Sequence, residues 1–471
     1  MPEPSWISLL PPLLAIALAI GTRQVYVSLA AGVWLGYTIK ADWNPVTGLG
    51  DAIQSCIDVM ADAGNSRVLL FTLVIGALIA TVEAIGGVRG FVDWIERRGL
   101  VTGPRGARLL AFLVGVVIFI ESNITVLVAG AVARPLFDRH NRSREMLAYI
   151  IDSTSAAICI LIPLNAWGAY ILVLLGEAGI VDNPLGLFIS AIPLNFYAIA
   201  AVIIAGFVAA TGWAWGPMKR AEARAAEGKH FDEGAEPMVD EDALVPEPVG
   251  TIPPRAFNML LPLGAMVLMM PIGLLITGDG NLRAGSGSTS VLWAVLTGLA
   301  LAWVLTLTQR AMKMEKLTST GLKGAGGMLG MAFVLLLALA LGGIARELGA
   351  GPYVAGLVAD RLHPAVLLPI VFLTGAFVSF STGTSWGTFA IMVPIAVPAA
   401  AAMGLPLAPF LAAALAGGIF GDHSSPISDT TIVSSLAAAT NHIAHVRTQL
   451  PYALLAGGVA VLCYAVVGLV I

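Results

Sequence analysis

Apolar residues run along this chain in blocks, and ten of these are long enough to cross the roughly 30 Å hydrocarbon core of a bilayer. They cover 6–21, 25–39, 68–85, 146–175 and 185–212, then, after a polar gap, 256–277, 291–308, 328–344, 411–440 and 450–471. Two further apolar stretches, 109–137 and 366–403, are each interrupted halfway by polar residues and glycine. The pattern predicts an all-α polytopic membrane protein with about ten transmembrane helices. How the two interrupted stretches lie is a question of charge.

Cytoplasmic loops carry an excess of Lys and Arg. The loop 86–108 holds Arg89, Arg97, Arg98, Arg105 and Arg108, and the next polar segment holds Arg134, Arg139, Arg142 and Arg144. A single crossing from residue 109 would leave the second group outside, whereas a re-entrant hairpin keeps both groups inside. The same reasoning makes 366–403 a hairpin entering from the opposite face. With both hairpins in place, 20 of the 25 Lys and Arg fall on the cytoplasmic side, and both termini fall outside. No Lys or Arg precedes Trp6, so 6–21 reads as a retained span and not as a secretory signal.

Composition confirms lipid as the solvent. Of 471 residues 58% are hydrophobic and 11% charged, with a mean hydropathy of +0.87. Soluble domains carry about 25% charged residues, so a soluble enzyme is excluded. The 52 glycines suit helices packed on small residues. Cys56, Cys159 and Cys463 are too far apart for a disulfide framework or a CxxC metal pair. A net charge of −4 argues against a nucleic-acid partner.

Traced as a path, the first half makes three crossings, an interfacial stretch, a hairpin from inside, a crossing and a return. The second half repeats the series in the opposite sense. The stretch 349–364 mirrors 86–105, and the tip Ser381-Thr382-Gly383-Thr384-Ser385 mirrors Glu121-Ser122-Asn123-Ile124-Thr125. Phe119 and Phe380 lie 261 positions apart, Pro163 and Pro426 263. Inverted-topology repeats with two re-entrant hairpins and two broken helices point to a secondary transporter with a central site. The expected organisation is a first repeat over 1–212, a cytoplasmic linker over 213–255, and a second repeat over 256–471. The linker carries nine acidic residues and one short helix, 216–228.

Charged side chains are costly in hydrocarbon and mark ion or substrate paths. The first broken span reads Asp152-Ser153-Thr154-Ser155 and then Pro163-Leu164-Asn165; its mirror is Gly421-Asp422-His423-Ser424-Ser425-Pro426-Ile427-Ser428-Asp429-Thr430-Thr431. Carboxylates and hydroxyls are hard oxygen ligands that suit Na+, and proline frees neighbouring carbonyls. A carboxylate that holds either Na+ or a proton couples the two by competition. Unwound helix ends add partial charges, so an anionic or zwitterionic organic substrate fits the same ingredients.

The expected ion- and substrate-binding set is Glu121, Ser122, Asn123, Asp152, Ser153, Thr154, Asn165, Thr382, Thr384, Ser385, Asp422, His423, Ser425, Ser428, Asp429 and Thr430, with Na+ at Asp152, Asp422 and Asp429. Structural readings stand beside it: Asp422 as a helix cap, His423 as a hydrogen-bonding support. His442 and His445 lack a third ligand for a metal. An intramembrane aspartyl protease is disfavoured because Ile419-Phe420-Gly421-Asp422 lacks the first glycine of Gly-x-Gly-Asp, and neither HExxH nor GxSxG occurs.

Three segments carry a family resemblance: Ser143-Arg144-Glu145-Met146-Leu147-Ala148-Tyr149-Ile150-Ile151-Asp152-Ser153-Thr154, the run from Gly421 to Thr431, and His445-Val446-Arg447-Thr448-Gln449-Leu450-Pro451-Tyr452. Together they resemble the signature of NhaC-type Na+/H+ antiporters, over nearly the whole chain. The resemblance implies membership of the ion transporter superfamily, a homodimer, a scaffold with an elevator-like transport domain, and a prokaryotic plasma membrane. Two departures bear on cargo. Many NhaC-like chains have a pair of aspartates followed by Tyr-Ala-Asn at the first hairpin tip, where this chain has Glu121-Ser122-Asn123-Ile124-Thr125; Ser424 stands where cysteine is common. Na+ and H+ are the expected transported ions, with Na+- or H+-coupled transport of an amino acid or carboxylate as the alternative.

Overall fold

The computed structural model describes residues 5–22, 24–97, 103–119, 122–163, 165–177, 183–229, 252–281, 285–358 and 362–471. All regular structure among them is helical. Among the described residues seven helices are long and apolar enough to cross a membrane: Ala63–Ala84, Phe257–Thr277, Gly287–Thr308, Leu329–Glu347, Pro364–Thr382, Ser385–Ala402 and His442–Val470. The pair Pro184–Leu194 and Phe196–Thr211, bent by 49°, makes an eighth such span if counted as one. The bend follows from Pro193, which lacks an N–H, and from Asn195, whose side chain accepts from the Ala198 amide and starts the next helix.

The expected crossings 146–175 and 411–440 are broken. The first becomes Arg144–Ser153, Ala156–Leu161 and Ala166–Glu177; the second becomes Leu407–Ser424 and Asp429–Ala437. The first hairpin consists of Gly103–Val117 and Ser122–Arg139, and the second of Pro364–Thr382 and Ser385–Ala402. Each arm of the second is as long as a crossing helix, about 27–29 Å at 1.5 Å per residue, longer than the expected re-entrant hairpin requires. Its tip requires glycine: Gly383 has φ 68°, and a Cβ there would lie 2.5 Å from the Ile427 carbonyl oxygen.

Two helices, Pro45–Ala61 and Met314–Gly327, correspond to none of the expected spans, hairpins, interfacial stretches or linker helix. The second includes Lys316 and Lys323, charges that interrupt any apolar block there. It packs on Ala63–Ala84 through glycine: a Cβ on Gly76 would lie 2.3 Å from the Gly324 carbonyl oxygen, and one on Gly324 2.2 Å from that of Gly76. Ala63–Ala84 also packs on Gly287–Thr308, while Leu329–Glu347 packs on Val25–Lys40 and Pro45–Ala61.

The linker begins as the helix Pro217–Ala226, which buries Met218, Ala221 and Ala225. Its Glu222 accepts from the Ser143 amide (2.9 Å), the Ser143 hydroxyl (2.6 Å) and Arg142 (3.0 Å). Arg224 meets the buried Glu145 at 2.5 Å. Ser143 in turn caps Arg144–Ser153 by accepting from the Met146 amide. This end of the first broken span is therefore fixed by paired charge. Residues 230–251, the acidic remainder of the linker, lie outside the described residues.

Candidate ion and substrate site

Each broken span is tied to its own hairpin by the same kind of bond. Asn165 donates from Nδ2 to the Phe119 carbonyl oxygen (2.9 Å) and accepts at Oδ1 from the Gly168 amide (3.0 Å), so it closes one break and starts the next helix. Ser425 donates to the Phe380 carbonyl oxygen (2.7 Å), and Ser428 starts the following helix by accepting from the Thr431 amide. These side chains satisfy backbone groups that a break would otherwise leave unpaired in hydrocarbon, where each costs several kcal/mol.

Asp422, at the end of Leu407–Ser424, reaches the second hairpin. Oδ2 accepts from the Ser385 hydroxyl (2.7 Å) and amide (3.3 Å), and Oδ1 accepts from the Ser428 hydroxyl (2.6 Å). The Thr430 hydroxyl lies 3.0 Å from that of Ser428. Asp422 is 2% exposed, so break and hairpin tip are joined by a buried carboxylate with both oxygens occupied.

Asp152 is equally buried but differently satisfied. Its Oδ2 accepts from Gln449 Nε2 (2.7 Å) and from the Thr431 hydroxyl (3.3 Å), with His445 Nε2 at 3.4 Å and His423 Nε2 at 4.0 Å. Its Oδ1 has no hydrogen-bond partner, nor has Gln449 Oε1 or either ring nitrogen of His445. Buried polar atoms are nearly always paired in native proteins, so these orphans are groups that a bound proton or small cation would satisfy. His423 is held on both sides, by the Ser153 hydroxyl at 3.1 Å and the Tyr197 hydroxyl at 2.6 Å. Thr431 links the two aspartates, its hydroxyl to Asp152 and its amide to the Ser428 that serves Asp422.

Of the expected residues, Asp152, Ser153, Ser385, Asp422, His423, Ser428 and Thr430 form one buried polar group. Asn165 and Ser425 serve the breaks. The Thr154 hydroxyl bonds back to the Ile150 carbonyl, Thr382 to that of Ser379, and Thr384 caps Ser385–Ala402. Ser122 is buried at the start of its helix. Asp429 is exposed, with Oδ1 accepting from the Thr430 amide at 2.9 Å. Glu121 and the Asn123 side chain lie outside the described residues. Among the described residues no three His, Cys, Asp or Glu side chains converge as a metal cage.

Sequence reasoning missed Gln449, His445, Thr431 and Tyr197 as members of this group. The spacing of His445 and Gln449, i and i+4, puts both on one helix face, which was a usable signal.

The sequence profile of the Na+/H+ antiporter family matches residues 159–469. The chain belongs to this family. An uncharacterized protein of Haemophilus influenzae is 36% identical over 485 residues, covering 98% of this chain and 90% of its own length. The arginine/ornithine antiporter ArcD of Halobacterium salinarum is 28% identical over 219 residues, 46% of this chain and 42% of its own. Among solved structures, the YdaH transporter of Alcanivorax borkumensis is similar with a TM-score of 0.58 at 16% identity, covering 90% of this chain and 88% of that one. That likeness concerns the fold. With its apolar helices and its family, the chain is an integral membrane protein of secondary-transporter type, and its family is one of transporters and not of enzymes.

Proposed function

We propose that this antiporter exchanges Na+ for H+, and that Asp152 is the carboxylate for which the two cations compete. The observation that carries the reading is the free Asp152 Oδ1, buried beside the free Gln449 Oε1 where four helices meet. A proton or a desolvated Na+ satisfies these oxygens, and binding of either excludes the other. Ser153, Thr430 and Thr431 supply neutral oxygens nearby, Asp429 is the exposed acid through which a cation approaches, and Asp422 latches the hairpin tip to the break. Glu121 adds a carboxylate at the opposite tip.

Alternation follows from an inverted repeat. Its support is reciprocal packing: a long helix of the first half, Ala63–Ala84, lies on Gly287–Thr308 and Met314–Gly327 of the second, and Leu329–Glu347 lies on Val25–Lys40 and Pro45–Ala61 of the first. The Asn165–Phe119 and Ser425–Phe380 bonds repeat in the same way. Hairpins and broken helices form the moving body, the remaining long helices the scaffold, in a homodimer of the prokaryotic plasma membrane with both termini outside.

A second reading, coupled transport of an amino acid or carboxylate, is favoured by the similarity to an arginine/ornithine antiporter. Purified protein in liposomes with an internal pH dye separates the two. Dissipation of an imposed proton gradient by Na+ supports the first reading. Silence towards Na+, Li+ and K+, together with Na+- or H+-driven uptake of a labelled amino acid or carboxylate, supports the second.

A further inference from the structure

Away from the transport site, the helix Gly87–Arg97 crosses the start of Phe257–Thr277 at very close range. A Cβ on Gly90 would lie 2.2 Å from the Arg255 amide nitrogen, and one on Gly87 2.9 Å from that of Met259. Beside this glycine crossing opens a cavity of about 470 Å³ lined by Gly90, Asp93, Trp94, Arg255, Phe257 and Leu260, together with Pro254 and Ala256. Its volume falls within the range of small-molecule sites, about 300–1,000 Å³.

Its depth is set by the helix that borders it. Phe257 is the first residue of a crossing helix, and Phe257, Leu260 and Leu261 are 38%, 41% and 49% exposed, so they face lipid. Arg255 precedes that helix by two residues. Trp94, 40% exposed on the second wall, is of the residue type that settles at the headgroup level. One end of the cavity therefore opens on acyl chains and the other on the headgroup layer.

Its charges are of both signs. The Arg255 guanidinium lies 5.7 Å from the Phe257 ring centroid and donates to Gln309 at 3.4 Å. Among the described residues neither Arg255 nor Asp93 is in an ion pair, although both line one cavity. An anionic lipid would match the arginine and meet repulsion at the aspartate. A phosphate with an ammonium on a short linker matches both.

We infer that the cavity between Gly87–Arg97 and the start of Phe257–Thr277 is a binding site for one phosphatidylethanolamine headgroup, with Arg255 taking the phosphate and Asp93 the ammonium. Charge-assisted hydrogen bonds of this kind are roughly twice as strong as neutral ones. The lipid wedges the surface helix against the scaffold independently of what is transported.

The test is native mass spectrometry of the intact protein offered equal amounts of phosphatidylethanolamine, phosphatidylglycerol and phosphatidylcholine. Wild type is expected to retain phosphatidylethanolamine about tenfold over the other two, the size of one charge-assisted hydrogen bond. D93N is expected to remove the preference over phosphatidylcholine, R255Q to lower retention of all three, and R255K to preserve most of it. Equal retention of the three lipids by wild type, a preference for phosphatidylglycerol, or an unchanged preference in both D93N and R255Q would overturn the assignment.

Discussion

Gln449 Nε2 donates to Asp152 Oδ2 at 2.7 Å and to the carbonyl oxygen of His423 at 2.6 Å. One amide nitrogen on the last helix thereby commits both its hydrogens to the two broken spans, while its partner oxygen Oε1, like Asp152 Oδ1, is buried without a hydrogen-bond partner. Gln449 orients Asp152. Replacing it with alanine removes a hydrogen bond to a charged acceptor, worth about 1.5–3 kcal/mol. Gln449→Ala should lower the melting temperature and raise the Na+ concentration for half-maximal exchange by roughly tenfold. Unchanged half-saturation would mean that the amide only supports the fold.

The Asp422 carboxylate is expected to behave differently, because Ser385 and Ser428 already occupy both its oxygens. Ser385→Ala should cost about 1 kcal/mol of stability, and Asp422→Ala more, since it also strands the Ser428 hydroxyl. Thermal unfolding in detergent reads both. The ion half-saturation of Ser385→Ala should stay near wild type; a large shift would make the tip residue an ion ligand and not part of a latch.

The Gly76–Gly324 crossing leaves no space for a side chain. Gly76→Val forces backbones apart and should destabilise by about 1–3 kcal/mol or more, seen as a lower melting temperature. An exposed position such as Gly326, where a Cβ would meet nothing within 4 Å, should accept alanine without loss.

These glycines show where sequence reading reached its limit. The long apolar helices and both breaks were legible, because apolar blocks and helix-breaking polar runs are properties of sequence position, whereas the arms of the second hairpin came out as long as crossing helices. Met314–Gly327 was not, since at 14 residues with Lys316 and Lys323 it has neither the length nor the hydropathy of a span. What holds it is a backbone contact that only the folded chain reveals. At the site, Asp152, Asp422 and His423 stood out as charges among apolar residues. His445 and Gln449 did not, because their meaning lies in contacts nearly 300 positions away along the chain.

Arg224 and Glu145 offer a test of the linker helix. Glu145 is 2% exposed at its side chain, so removing Arg224 leaves a buried carboxylate without this cation. Such losses run to about 3–5 kcal/mol. Arg224→Met should lower the melting temperature strongly, and Glu145→Gln added to it should restore part of the loss. Additive losses in the double variant would mean that the pair is not coupled.

Exchange by Asp152→Asn in liposomes tests the central claim most directly. The substitution keeps shape and a hydrogen-bonding group while removing the charge proposed to bind Na+ and the proton. With an imposed proton gradient and an internal pH dye, Na+ should collapse the gradient in wild-type vesicles and leave it standing in Asp152→Asn vesicles carrying equal amounts of folded protein. Full Na+-driven collapse in the Asp152→Asn vesicles would contradict the account.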